Sequence, residues 1–182
     1  MKNKFLFLDI DNTLCYRTTK GNYHKEHMND EVHSFDDDIT IMRPHLKQFF
    51  NFVFDKFGCK NVGLSTNATS VGASNFFRSC INLNILSREQ YNEMRLNVCH
   101  SGNTPNKEIT IGEFSGIQIK DFEQASKNVG CEVKDVILID DWKDKDNPYN
   151  EHIIGIPFYM GEKEDKELLT IIKKIKNGFH II

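Results

Sequence analysis

A chain of 182 residues, 39% of them apolar, is long enough for one globular domain with its own core. Its net charge of −3, with no clustered Lys/Arg stripe, provides no electrostatic footprint for nucleic acid. Five scattered cysteines (Cys15, Cys59, Cys80, Cys99, Cys131) without Cys-x-x-Cys spacing read as reduced thiols of a cytoplasmic protein, and neither a leader pattern nor a membrane-spanning run is expected. In chain order, the apolar run Phe5–Leu8 suits a strand buried on both faces of a parallel sheet, and it closes on Asp9 and Asp11, with Thr13 two residues further on. Residues 15–42 are polar and rich in His and Asp, which predicts a surface excursion or short hairpin. "ITIMRP" resumes an extended pattern, and Pro44 then suits the first position of a helix. Leu46, Phe49, Phe50, Val53, Phe54 and Phe57 follow at helical spacing, with Gly58 as the stop.

Next, "NVGLSTNAT" reads as a second strand that ends in Ser65, Thr66 and Asn67 ahead of a helix of small residues. Ser87-Arg88-Glu89-Gln90 fits a capping box, and "CHSGNTPNKEITIGEFSG" a loop and hairpin. Residues 119–129 predict a helix stopped by Gly130, and "DVILIDDW" a strand that terminates in Asp140 and Asp141. "HIIGIPFY" follows as another strand. The last helix, "EKEDKELLTIIKKI", has acids early and lysines late, as its dipole favours.

Chemistry therefore collects at element ends: Asp9 with Asp11, a hydroxyl, a lysine, and Asp140 with Asp141. In an open α/β sheet the crevice beyond the carboxyl ends of the strands is where ligands bind. "DIDNT", "LSTNA", "IKDF" and "LIDDW", in this order, resemble the four motifs of the haloacid dehalogenase superfamily, and the resemblance spans most of the chain. "RPHLKQFF", "LSTNAT", "IKDF" and "KELLTIIKKI" are most similar to the phosphatases that act on the carboxyl-terminal domain of RNA polymerase. The resemblance implies an α/β, Rossmann-like fold with a mostly parallel sheet, helices on both faces and only a minimal cap. One phosphatase domain over 1–182, with short insertions at about 15–42 and 78–118, is expected.

The same resemblance implies a Mg²⁺-dependent phosphatase. Asp9 would attack phosphorus and form an aspartyl-phosphate. Asp11 would protonate the leaving oxygen and then deprotonate water. Magnesium prefers hard oxygen ligands, here the carboxylates of Asp9 and Asp140 and the backbone carbonyl of Asp11. Thr66 and Asn67 at the helix opening would hold phosphate oxygens, and Lys120 would neutralise charge as the phosphoryl group moves. Thr13 would steady the loop after the nucleophile, and Asp141 would anchor the lysine or a metal-bound water.

Plainer readings stand beside these. Strand-end aspartates often cap turns or helices, and Ser65 competes with Thr66. Lys107 and Lys134 compete with Lys120, which its "KDF" context favours, while most lysines are simply exposed. His24, His27 and His33 read as a solvated loop rather than a metal cluster. A receiver-type phosphoacceptor would place its acceptor Asp after the acidic pair, and a cysteine-dependent phosphatase would need an arginine that "CHSGNTP" lacks. A non-catalytic binding module on the same fold is a further alternative. With no large cap between the first motifs, a phosphorylated protein or peptide is expected as substrate ahead of a nucleotide or sugar phosphate. Tyr16, Tyr23 and Trp142 tilt the expectation slightly toward phosphotyrosine over phosphoserine or phosphothreonine. The apolar ending "NGFHII" raises the expectation that the chain is the catalytic part of something longer.

Overall fold

Alternation within the first strand sets the layering of the protein. In β1 (Phe5–Leu8) every residue is buried. Leu6 and Leu8 join the larger core cluster, and Phe5 and Phe7 the smaller cluster on the other face. The computed structural model describes residues 4–104, 106–111, 114–143 and 147–178. After β1 come β2 (Cys15–Thr19), β3 (Val32–Phe35) and β4 (Asp38–Met42), an antiparallel three-stranded sheet in the order β2-β4-β3. The stretch 15–42 is thus more regular than a hairpin, because Ile39, Ile41 and Met42 of β4 are buried and draw a partner onto each side.

The main sheet follows: α1 (Leu46–Phe57), β5 (Val62–Ser65), α2 (Ser70–Asn82), α3 (Arg88–Met94), β6 (Val98–Cys99), the hairpin β7 (Lys107–Ile111) and β8 (Phe114–Ile119), α4 (Phe122–Val129), β9 (Val136–Asp140), β10 (Ile153–Gly155) and α5 (Glu167–Lys176). Its five strands run β10-β9-β1-β5-β6, every neighbouring pair parallel. The apolar stripes of α1 and α5 pack on the Leu6 face, and Phe122 and Ala125 of α4 on the Phe7 face, so the expected mostly parallel sheet with helices on both faces is present. From β1 the chain moves outward to β5 and β6, then returns to β9 and β10 on the other flank. This reversal opens a crevice at the carboxyl ends of β1 and β9.

Several local expectations hold. Ser87 and Gln90 exchange capping-box bonds of 3.1 and 2.8 Å, and Gly58 and Gly130 end α1 and α4. Others need correction. Pro44 is not the first helical residue: His45, at φ 67°, is the N-cap, and the first helical bond runs from the Phe49 N–H to the His45 carbonyl. The helix expected at 119–129 begins only at Phe122, because β8 continues to Ile119 and the Asp121 carboxylate caps the Gln124 N–H at 2.9 Å. The strand in "HIIGIPFY" stops at Gly155, two residues before Pro157, which has no N–H to donate. The stretch 78–118 is only partly an insertion, since it includes the end of α2 and the edge strand β6, which pairs with β5. Gly63 allows that approach: a Cβ there would lie 2.3 Å from the Asn97 carbonyl oxygen. The chain end beyond Gly178 lies outside the described residues. Among those described, no helix is long and apolar enough to cross a membrane.

Candidate active site

β1 and β9 lie side by side, so the residues that leave their carboxyl ends are neighbours. Lys120, in the short link between β8 and α4, places its ammonium between them: Nζ donates to Asp9 Oδ1 and to Asp140 Oδ2, both at 2.6 Å. All three groups are buried or nearly so. The other two candidate lysines lie elsewhere: Lys107 pairs with Glu123 at 3.4 Å and Lys134 with Glu132 at 2.7 Å.

The fields at this site oppose one another. Burial pushes the Asp9 carboxyl up, the Lys120 ammonium pulls it back and Asp140 raises it again, leaving it at about 7. Burial disfavours the charge on Lys120, but Asp9 and Asp140 outweigh it and shift the ammonium upward, so it is protonated at neutral pH. Burial also raises the Asp141 carboxyl, which the Thr13 hydroxyl partly offsets. Thr13 joins the loops after the two strands: its hydroxyl donates to Asp141 Oδ1 at 2.9 Å and accepts from the Asp141 N–H at 3.0 Å. The Trp142 N–H donates to Asp140 Oδ1 at 2.8 Å.

These groups line an open pocket of about 210 Å³ with Asp11, Asn12, Thr66, Asn67 and Trp142. Thr66, not Ser65, faces it. The Thr66 Oγ1 accepts from the Ala68 N–H at 3.0 Å, and its own N–H donates to the Cys99 carbonyl, so its hydroxyl proton is left for a ligand. The Asp11 carboxylate turns aside to Arg17, whose Nε lies 3.0 Å away. Of the three aromatic residues expected near the site, Trp142 lines the pocket and Tyr16 and Tyr23 do not. The cysteines are free, and burial raises the Cys99 thiol, which makes it a poor nucleophile.

Asp9, Asp140 and Asp141 each offer a carboxylate oxygen, and these atoms lie within 4.8 Å of one another. Such a hard-oxygen set suits Mg²⁺. The charges also fit, since three carboxylates balance one ammonium and one divalent ion. The Asp11 carboxylate is outside this group, so the ligand expected from that residue would be its backbone carbonyl.

Two arginines at the site escaped the sequence reading. Arg17 reaches from β2 to Asp11 and also donates to the Gly72 carbonyl at 3.1 Å, where a side chain on Gly72 would crowd it. Arg43 is fully buried: it forks onto Asp165 at 2.8 and 2.9 Å, donates to the carbonyls of Thr13 and Pro157, and sits over the Tyr159 ring. The available signal was a cation in the apolar setting of "ITIMRP". Nothing in the alternation of 15–19 singles out Arg17.

The model of the NLI interacting factor-like phosphatases matches residues 4–180. The chain belongs to that family. The resemblance to haloacid dehalogenase-type phosphatases of the carboxyl-terminal-domain branch is therefore borne out. No curated protein matches the chain by sequence. Among solved structures it is similar to a variant of the fission yeast RNA polymerase II CTD phosphatase Fcp1 bound to beryllium fluoride, with a TM-score of 0.60 and 16% identity over 97% of this chain and 50% of that one. A second Fcp1 structure, described as an essential RNA polymerase II CTD phosphatase, matches with a TM-score of 0.59 and 18% identity over 99% and 52%. At that identity the likeness establishes the fold. The chain spans about half the length of these solved chains.

Proposed function

We propose that this chain is a Mg²⁺-dependent phosphoprotein phosphatase that works through an aspartyl-phosphate on Asp9. The observation that carries the reading is the Asp9–Lys120–Asp140 cluster in an open pocket at the switch point of the sheet. Lys120 takes one oxygen of Asp9 and leaves the other without a hydrogen-bond partner among the described residues, free to attack phosphorus. The new bond is Asp9 Oδ2 to phosphorus, and the bond that breaks joins phosphorus to the substrate oxygen, which takes a proton from Asp11. In the second half Asp11 removes a proton from water as the water oxygen displaces Asp9, which restores both aspartates and releases phosphate.

Mg²⁺, held by Asp9, Asp140 and the Asp11 carbonyl with Asp141 beside it, would neutralise phosphate charge. The Thr66 hydroxyl and Asn67 hold phosphate oxygens, and the Lys120 ammonium offsets charge that grows in the transition state. Thr13 keeps the two loops in register through Asp141. Trp142, 46% exposed at the rim, offers a ring face to the substrate and supports a slight preference for phosphotyrosine over phosphoserine or phosphothreonine. A cytoplasmic setting agrees with the five free thiols.

Hydrolysis of an aryl phosphate tests the reading. Activity should require Mg²⁺, stop with chelator, and vanish in Asp9→Asn while the circular dichroism spectrum is unchanged. Asp11→Asn should retain substrate binding and turn over about 10²–10⁴-fold more slowly. Full activity in a folded Asp9→Asn protein would remove the aspartyl-phosphate.

A further inference from the structure

Beyond the pocket, α2 and α3 enclose a second concave surface. Two depressions of about 240 and 400 Å³ share Ser74, Phe77 and Tyr91 as their floor. The nearer opens at Ser70 and His100, three residues past Asn67 of the pocket, and the farther ends at Asn82 and Arg88. Together they follow α2, a path of about 20 Å at the helical rise.

The walls of this groove carry positive charge. Arg95 borders the nearer depression, Arg78 and Arg88 the farther, and all three are exposed. The arginine ion pairs among the described residues belong to Arg17 and Arg43, so these three have no carboxylate partner. Arg95 lies 5.9 Å from the Tyr91 ring centroid and Arg78 5.6 Å from that of Phe35, while Tyr91 meets Phe77 edge-on at 5.2 Å. A guanidinium held against a ring and without an ion pair still has N–H donors for an anion, and its planar fork suits bidentate recognition of carboxylate or phosphate. Neither helix sets an acidic side chain on the groove face. α2 contains no Asp or Glu, and Glu89 and Glu93 of α3 lie toward Cys59, off the Arg88–Tyr91–Arg95 face.

We infer that this groove docks acidic or additionally phosphorylated residues that flank the target phosphoresidue in a substrate polypeptide. The inference rests on the phosphatase reading and names what that site selects. A polypeptide fits better than a nucleic acid, because three arginines around a floor of Ser74, Phe77 and Tyr91 can pair with spaced anionic side chains, whereas the chain as a whole carries a charge of −3.

The test compares phosphopeptides that share one target residue but carry a flank of Glu, of phosphoserine or of Gln, against an aryl phosphate too small to reach the groove. The wild-type chain should show a KM about tenfold lower for the anionic flanks than for the Gln flank, and added salt should erase the difference. Arg78→Gln/Arg88→Gln/Arg95→Gln should lose this preference and leave kcat and aryl phosphate hydrolysis unchanged. Arg88→Gln alone, at a side chain with no hydrogen bond, ion pair or ring contact among the described residues, should lose part of it and serves if the triple variant does not fold. Fluorescence anisotropy of the same peptides on the Asp9→Asn chain reads docking without turnover, so a chain without phosphatase activity still decides the groove. Equal affinity for anionic and Gln flanks in the wild-type chain overturns the inference, and so does tighter, arginine-dependent binding of an RNA oligonucleotide.

Discussion

At Asp9 the cost of burial outweighs the pull of the Lys120 ammonium, and this has a measurable sign. The Asp9 carboxyl rises from 3.8 to about 7 on folding, chiefly through burial. Between those values the unfolded chain has released the proton and the folded chain retains it, so stability falls as pH rises through that window and levels off above about 7. The metal-free protein should lose several degrees of melting temperature from pH 5 to pH 8 relative to Asp9→Asn, measured by thermal denaturation. Mg²⁺ at the proposed site would bind the ionised carboxylate, so it should raise the melting temperature more at pH 8 than at pH 5. A loss identical in Asp9→Asn would mean that another group sets the pH dependence. Lys120→Ala exposes the complementary half of the pair. Two buried carboxylates then face each other without a cation, so phosphate binding and turnover should both fall by at least about tenfold. Lys107→Ala and Lys134→Ala, at exposed pairs, should match the wild-type kinetics.

The loops that carry these residues are fixed from below by Arg43, where the antiparallel sheet hands over to α1. Its guanidinium ties the Thr13 loop, the Pro157 turn and Asp165 ahead of α5 into one unit. Arg43→Met should cost about 3–5 kcal/mol, because it strands the Asp165 carboxylate with little solvent contact. Arg43→Met/Asp165→Leu should recover most of the stability in urea denaturation but not the activity, since the Thr13 carbonyl still lacks its anchor. Activity that recovers with stability would make Arg43 purely a folding residue. This unit also marks the boundary of what was legible in the sequence. The apolar runs Phe5–Leu8 and Val136–Ile139, with the spacing from Leu46 to Phe57, specify buried strands and an amphipathic helix by period alone. The paired aspartates then fall at neighbouring strand ends because the sheet is parallel. The roles of Arg43 and Arg17 were not legible, since Arg43 bonds to Asp165 and Pro157, 122 and 114 positions away, and Arg17 bridges nearby Asp11 to Gly72, 55 positions away, across elements that no local pattern brings together. Hydrophobic period does not mark the start of α4, because the side chain of Asp121 decides where the helix begins.

Every side chain around the pocket comes from the last residue of a strand or from the loop after one, and neither the antiparallel sheet of 15–42 nor the β7–β8 hairpin contributes one. A small metabolite would therefore be gripped through its phosphate and little else, with its remaining surface in water. A phosphorylated side chain on a polypeptide brings its own contacts along the surrounding surface, including Trp142 at the rim and the arginine groove along α2. Specificity should then reside in kcat/KM for peptides. With Mg²⁺ fixed, peptides bearing phosphotyrosine, phosphoserine or phosphothreonine should exceed nucleotides and sugar phosphates by at least about tenfold, with phosphotyrosine slightly ahead because its phenol is the better leaving group. Trp142→Ala should narrow the lead of phosphotyrosine and leave phosphoserine nearly unchanged, a split that loss of folding would not produce. A nucleotide or sugar phosphate that outperforms every peptide would mean that segments absent from the pocket wall close over it during turnover.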